Sequence, residues 1–83
     1  MKLTTEIIRI LREAEGHPLL LSVVRAQIDA RVRPRPMKGL VDDAIETLMQ
    51  KSYILQTPNE MDDADPFYLL DERGAAYAAQ QRL

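Results

Sequence analysis

Pro34 and Pro36 limit the folding of this chain more than any other feature, because each proline disfavours helix at the residue before it. They lie between two segments, residues 21–32 and 37–48, in which apolar residues recur every three or four positions. This spacing predicts two amphipathic helices, and the prolines predict a short connection between them. Since proline is tolerated at a first helical position, the later helix can start at Pro36 or Met37.

The remaining segments predict a mainly helical protein with one small antiparallel hairpin. An apolar stripe after Thr4 or Thr5 predicts a first helix that ends at Gly16, and the run HPLLLS predicts a short extended piece. Ser22 is then expected to cap the next helix. Two β-rich runs, YILQT and FYLL, flank a polar loop and predict a hairpin, and an alanine-rich helix follows. The sequence therefore predicts one α+β domain, residues 1–83, in the order helix, short strand, helix, helix, strand, loop, strand, helix.

One face of each predicted helix is expected to enter the core. On the third helix this face is centred on Val41 and includes Met37. Met49 and Met61 are expected to fill gaps in or beside the core. The predicted outer faces carry polar side chains, among them Glu6, Arg25, Asp42, Asp43 and Glu46.

Charge is spread unevenly along the chain, although the net charge is only −2. Residues 1–41 hold eight Lys/Arg against four Asp/Glu, whereas residues 42–83 hold three against nine. A surface that binds nucleic acid needs clustered cations. We therefore expect any such surface to lie in the first half of the chain.

The composition argues against an enzyme, a metal centre or a bound cofactor. Cysteine is absent, and the only histidine, His17, precedes a proline in a connection. The two serines, Ser22 and Ser52, are accounted for as a helix cap and a helix end, and the three glycines are too far apart to form a phosphate loop. The sequence also lacks the roughly 18 apolar residues of a membrane span and the apolar start of a signal peptide. We expect a cytoplasmic protein without cofactor or catalytic site.

The segment FYLLDERGAAYA carries the most specific resemblance in the chain. Tyr68, two leucines, Asp71 as a helix cap, Glu72, Arg73 and Gly74 are similar to the passage from last strand to last helix in MarR-like, PadR-like and other small bacterial or phage regulators. Together with LVDDAIETLMQKSYI and the order of elements, this segment makes nearly the whole chain resemble a winged helix-turn-helix domain. The resemblance implies that the third helix enters the major groove of DNA and that the hairpin loop is the wing.

The resemblance also implies a DNA-contacting surface at the turn and on the third helix. Cations near the turn would meet phosphates, and two neutral side chains of the third helix could read a base. These candidates are Arg25, Arg33, Arg35, Lys38, Thr47 and Gln50. Double-stranded DNA is the implied partner, and the alanine-rich last helix would allow a homodimer.

Two features depart from the pattern of this family. The outer face of the third helix carries three carboxylates, at Asp42, Asp43 and Glu46, which phosphates would repel. The loop that would be the wing holds four acids and no cation, so the usual wing contact with the DNA backbone is not expected. Three hypotheses for the basic turn therefore stay open: a DNA-binding regulator, a winged-helix module that binds an acidic protein partner, or a solvated turn.

Overall fold

The computed structural model describes residues 2–83 as four helices and a three-stranded antiparallel sheet. The predicted class and the predicted order of elements are confirmed. The elements are α1 (Leu3–Glu13), β1 (Leu19–Leu20), α2 (Leu21–Arg31), α3 (Lys38–Gln50), β2 (Ile54–Thr57), β3 (Phe67–Leu70) and α4 (Glu72–Gln80).

The sheet has the order β1-β3-β2, so the last strand lies in the middle. Leu19 of β1 pairs with Tyr68, and Ile54 of β2 pairs with Leu70. Because β1 runs directly into α2, this pairing holds the start of α2 beside the hairpin. The outer edge of β2 has no partner strand among residues 2–83.

The core lies between the inner faces of the helices and one face of the sheet. Complete burial of an aliphatic side chain contributes about 1.5–3 kcal/mol, so these contacts are the main stabilising term. The third helix buries Val41, Ala44, Ile45 and Leu48, as its periodicity predicts. The largest fully buried side chains are Ile7, Ile8, Leu11, Val24, Ile28 and Leu48.

The base of the hairpin is fixed against α4 by a close backbone approach. The Asp71 amide donates to the Tyr53 carbonyl oxygen at 3.0 Å. A Cβ atom at Gly74 would overlap that carbonyl group, so this position requires glycine. The Tyr53 and Tyr77 rings stack with centroids 4.7 Å apart. Asp71 caps α4 as expected, because its side chain accepts a hydrogen bond from the Glu72 amide.

Two expected helix caps are wrong. The first helix begins at Leu3, before Thr4 and Thr5, and no side chain caps it. Ser22 lies inside α2, and its amide and hydroxyl both donate to the Asp65 carboxylate at 2.7 Å. The capping oxygen thus comes from the hairpin loop, 43 residues along the chain. Sequence spacing could not indicate it, because only the folded sheet brings the loop to α2.

Several expectations about burial are also wrong. Met37 is 75% exposed and Met61 is 93% exposed, so neither fills the core, whereas Met49 is partly exposed. Met37 is exposed because it is the extended cap residue of α3, which begins one residue later. Conversely, Glu6 is buried on α1, where its carboxylate accepts a 2.6 Å hydrogen bond from Arg9.

Candidate nucleic-acid interface

The connection between α2 and α3 exposes its cations because both prolines keep it out of helix. Val32 packs against the core, whereas Arg33, Pro34 and Arg35 are exposed. The Arg35 side chain is 70% exposed. We call residues 33–38 the basic turn. It presents three cations on a short, stiff segment.

Both arginines of the basic turn interact with Asp29 of α2, one with its backbone and one with its side chain. Its carbonyl oxygen accepts a 2.6 Å hydrogen bond from Arg33 Nη1, and its carboxylate oxygen Oδ2 lies 3.5 Å from Arg35 Nε. The exposed ion pair of Arg35 with Asp29 contributes about 0–1 kcal/mol. Asp29 was not among the residues predicted from the sequence, and side-chain spacing could not indicate its contact with Arg33, because the acceptor is the backbone carbonyl oxygen.

Lys38 occupies a position that the helix itself does not favour. It is the first residue of α3, where the macrodipole attracts carboxylates and repels cations. The first turn of α3 contains no acid, and Lys38 forms no ion pair with any residue of the described chain. The stability of α3 therefore does not explain a lysine here.

Arg25 does not lie on the outer face of α2, as the periodicity predicted. It is half-buried between α2 and α3, where its Nη2 donates to Asp42 Oδ1, and its Nε is buried without a partner among residues 2–83. This pair neutralises one of the three acids on α3.

The Tyr68 hydroxyl of β3 is affected by the same pair. Burial raises its pKa above the usual value of 10; Asp42 raises the pKa further, while Arg25 opposes the shift.

The basic turn and Arg25 meet at a shallow cleft of about 220 Å³ between α2 and α3. Three cations border it, but Arg25 is paired with Asp42 and Arg35 lies near Asp29, so Lys38 supplies the positive charge that no acid balances within residues 2–83. Its lining consists of Arg25, Asp29, Arg35, Pro36, Lys38 and Val41. The tertiary structure thus brings together three of the six candidate residues.

The two proposed base-reading side chains lie far from this cleft. Gln50 is the last residue of α3, about 18 Å from Lys38 at 1.5 Å per residue. The Thr47 hydroxyl donates to the Asp43 carbonyl oxygen at 3.0 Å, so its proton is already engaged. On α3 between Lys38 and Thr47, the side chains of Asp43 and Glu46 are exposed. Cations and base-reading groups therefore do not form one continuous patch.

The loop between β2 and β3, residues 58–66, is held to the body of the protein. Asp65 binds Ser22, and the Pro66 carbonyl oxygen accepts from the Leu21 amide at 2.8 Å. Within the loop, the Asn59 side chain donates to the Asp65 carbonyl oxygen at 3.0 Å. Glu60 and Asp63 remain exposed. We call this segment the acidic loop.

Comparison with known proteins identifies no relative of this chain, since no family model, no curated protein and no solved structure matches it. Within residues 2–83, no helix is both long and apolar enough to cross a membrane. The same residues contain no group of three or more Asp, Glu or His side chains that could hold a metal ion.

Proposed function

We propose that this protein is a small winged-helix DNA-binding protein of the transcription-regulator type, which holds duplex DNA through the basic turn and the start of α3. The observation that carries the proposal is the cleft at the junction of α2 and α3, where Arg25, Arg35 and Lys38 converge. Clustered guanidinium and ammonium groups at a helix start are suited to phosphate oxygens.

The order of elements supports a winged-helix arrangement. Three helices precede the β2–β3 hairpin, and β1 completes a small sheet beside it. In that arrangement α2 and α3 form the helix-turn-helix motif, and the start of α3 faces the duplex. The basic turn would then lie against the DNA backbone.

The distribution of acids defines how such a complex would be oriented. Asp43 and Glu46 are exposed further along α3, and the acidic loop contains no cation. Both would be repelled by phosphates. We therefore propose contact through the N-terminal end of α3 alone, with the rest of α3 and the acidic loop turned away from the duplex.

A salt titration of duplex binding tests this function. The Arg33→Ala/Arg35→Ala/Lys38→Ala variant should bind more weakly, and the slope of log K against log salt should become shallower by about 2.7, since each phosphate contact accounts for about 0.9. A matched control replaces Lys2, Arg12 and Arg82, which lie outside the cleft and change the net charge equally. Equal losses in both variants, or no wild-type binding at about 50 mM salt, would refute the proposal.

A second candidate function is a winged-helix module that binds an acidic protein partner. The observation in its favour is that Met37 and Leu40, 75% and 54% exposed, lie beside the cations. Exposed apolar side chains beside arginine are typical of protein interfaces rather than of phosphate contacts. Under this alternative, Met37→Ser/Leu40→Ser should abolish recovery of the partner in a pull-down from expressing cells. Under DNA binding, the same variant should keep duplex affinity within about twofold, because phosphate contacts dominate that affinity.

A further inference from the structure

Two pockets open on the side of α3 that faces the sheet, and one of them extends along α3 from Asp42 to Gln50. Each has a volume of about 470 Å³. One is bordered by Ile45, Met49 and Tyr68, and the other by Met49, Leu55 and Pro58. Met49 borders both pockets, and we call the two together the groove.

The groove is more apolar than polar, and four acids border it: Asp42, Glu46, Asp63 and Asp71. Glu46 lies on one pocket and Asp63 on the other, and within the described chain neither carboxylate has an ion-pair or hydrogen-bond partner through its side chain. No Lys or Arg of residues 2–83 borders either pocket. The groove is therefore suited to a segment that combines an apolar side chain with several cations.

The groove adjoins an exposed edge of the sheet, which is also suited to contact a partner. Leu55 is 46% exposed on β2, an edge strand without charged residues. Uncharged edge strands and exposed leucines are features that proteins usually cover or protect. The groove thus combines apolar surface with unsatisfied negative charge.

The basic turn of this chain has the complementary chemistry. It carries Arg33, Arg35 and Lys38 around Met37, whose side chain is 75% exposed. Its prolines hold it outside helix, so little conformational entropy would be lost on binding. The groove begins at Asp42, but Met49, which borders both pockets, lies about 17 Å along the helix axis from Lys38 at 1.5 Å per residue, so the turn does not reach the centre of the groove of its own chain.

The two surfaces share one side of α3. At 100° per residue, Lys38, Asp42 and Met49 fall within about 40° of each other around the helix axis. Two copies that approach with antiparallel α3 helices would therefore place each basic turn at the groove of the other. This contact closes on itself with two-fold symmetry, which is the commonest arrangement among homo-oligomers.

We infer that this protein forms a weak two-fold dimer in which Met37 and the cations of each basic turn occupy the acid-rimmed groove of the other copy. The association is electrostatic at its rim and apolar at its centre. It uses the same cations as the proposed DNA contact, so duplex DNA and the second copy compete. The inference does not rest on the proposed function, since association is measured without DNA.

Charge exchange between the two surfaces tests the inference. One variant reverses the turn, as Arg33→Glu/Arg35→Glu/Lys38→Glu, and the other reverses the groove rim, as Glu46→Lys/Asp63→Lys. Sedimentation equilibrium of the wild-type chain, from about 5 µM to 1 mM at low salt, should give a dimer with a dissociation constant of about 10–100 µM. Each variant alone should associate at least about tenfold more weakly, because like charges then face each other.

Mixing the two variants provides the decisive measurement. In an equimolar mixture the acidic turn meets the basic groove and the basic turn meets the acidic groove, so a heterodimer should form. Glu15→Lys/Glu60→Lys makes the same change of charge outside the groove and should keep wild-type association within about twofold. Circular dichroism confirms that each variant is folded.

Three results would overturn the inference. The first is a wild-type chain that stays monomeric at about 1 mM, far above the expected dissociation constant. The second is a dimer that both reversed variants retain, which would indicate another interface such as α4. The third is a mixture of folded variants that fails to associate.

Discussion

The basic turn and the acidic loop are both surface connections, yet their charged side chains differ in what the fold requires of them. In the acidic loop, Asp65 binds the amide and hydroxyl of Ser22, and Asn59 binds the Asp65 carbonyl oxygen. In the basic turn, within residues 2–83, the only side-chain hydrogen bond or ion pair of either arginine is with Asp29, and Lys38 forms no ion pair.

The two connections therefore differ in how far their charged side chains are needed for folding. The fold explains part of the acidic composition of the loop, because one of its carboxylates caps α2. The fold explains Arg33 in part, because its side chain donates to a carbonyl oxygen in the last turn of α2, but it does not explain Arg35 or Lys38. For Arg35 and Lys38 we have proposed contact with duplex DNA or with a second copy.

The largest effect is expected where the base of the hairpin packs against α4, and the variant concerned leaves the basic turn unchanged. Gly74→Ala would push a Cβ atom into the Tyr53 carbonyl group, and we expect it to lower the free energy of unfolding by about 3 kcal/mol. Gly39, beside the basic turn, has open space around it, so Gly39→Ala should raise that free energy by up to about 1 kcal/mol. Urea unfolding followed by circular dichroism measures both. Similar effects at the two positions would contradict the described packing.

A smaller effect should come from the acidic loop itself. Asp65→Ala removes the acceptor of both Ser22 hydrogen bonds and should lower the free energy of unfolding by about 1–2 kcal/mol. Asp63→Ala is the matched control, because its carboxylate has no hydrogen bond within the described chain and should change the same quantity by less than about 0.5 kcal/mol. If the two variants unfold at the same urea concentration, the folding role assigned to Asp65 is wrong.

The smallest effect on stability is expected only at alkaline pH and comes from Tyr68. The pKa of its hydroxyl depends on Arg25 of α2 and Asp42 of α3. Burial, reinforced by Asp42, holds its pKa above 10 in the folded state. Above pH 10 the unfolded chain therefore binds fewer protons than the folded chain, so stability falls as pH rises through the folded pKa. Tyr68→Phe should weaken this alkaline loss, as thermal unfolding between about pH 8 and 11 would measure. An unchanged pH profile would argue against a buried, neutral Tyr68.

Local patterns in the sequence predicted most of the fold. The apolar periods located the helices, the prolines located the break before α3, and the β-rich runs located the hairpin. Asp71 was predicted correctly as a cap because it lies next to the helix it caps. Where a contact joins distant segments, as between Asp65 and Ser22, no local signal was available.

The candidate site was predicted in part. The sequence correctly placed exposed cations in the turn, because residues between two prolines cannot enter a helix. It misplaced Arg25, since helical spacing gives the direction of a side chain from its own helix and says nothing of a neighbour such as Asp42. It also misplaced Met37, which leaves the core when α3 starts one residue later.

The sequence by itself determined the helices, the hairpin and the separation of charge between the two halves of the chain, because these depend on spacing and composition. Only the tertiary structure decided which charges are neutralised and which are available for binding. It paired Arg25 with Asp42 and Asp65 with Ser22, while it left Lys38 without an ion pair in the part of the chain that it describes. Ion pairs and hydrogen bonds depend on separations of a few ångströms, which packing sets and sequence spacing does not.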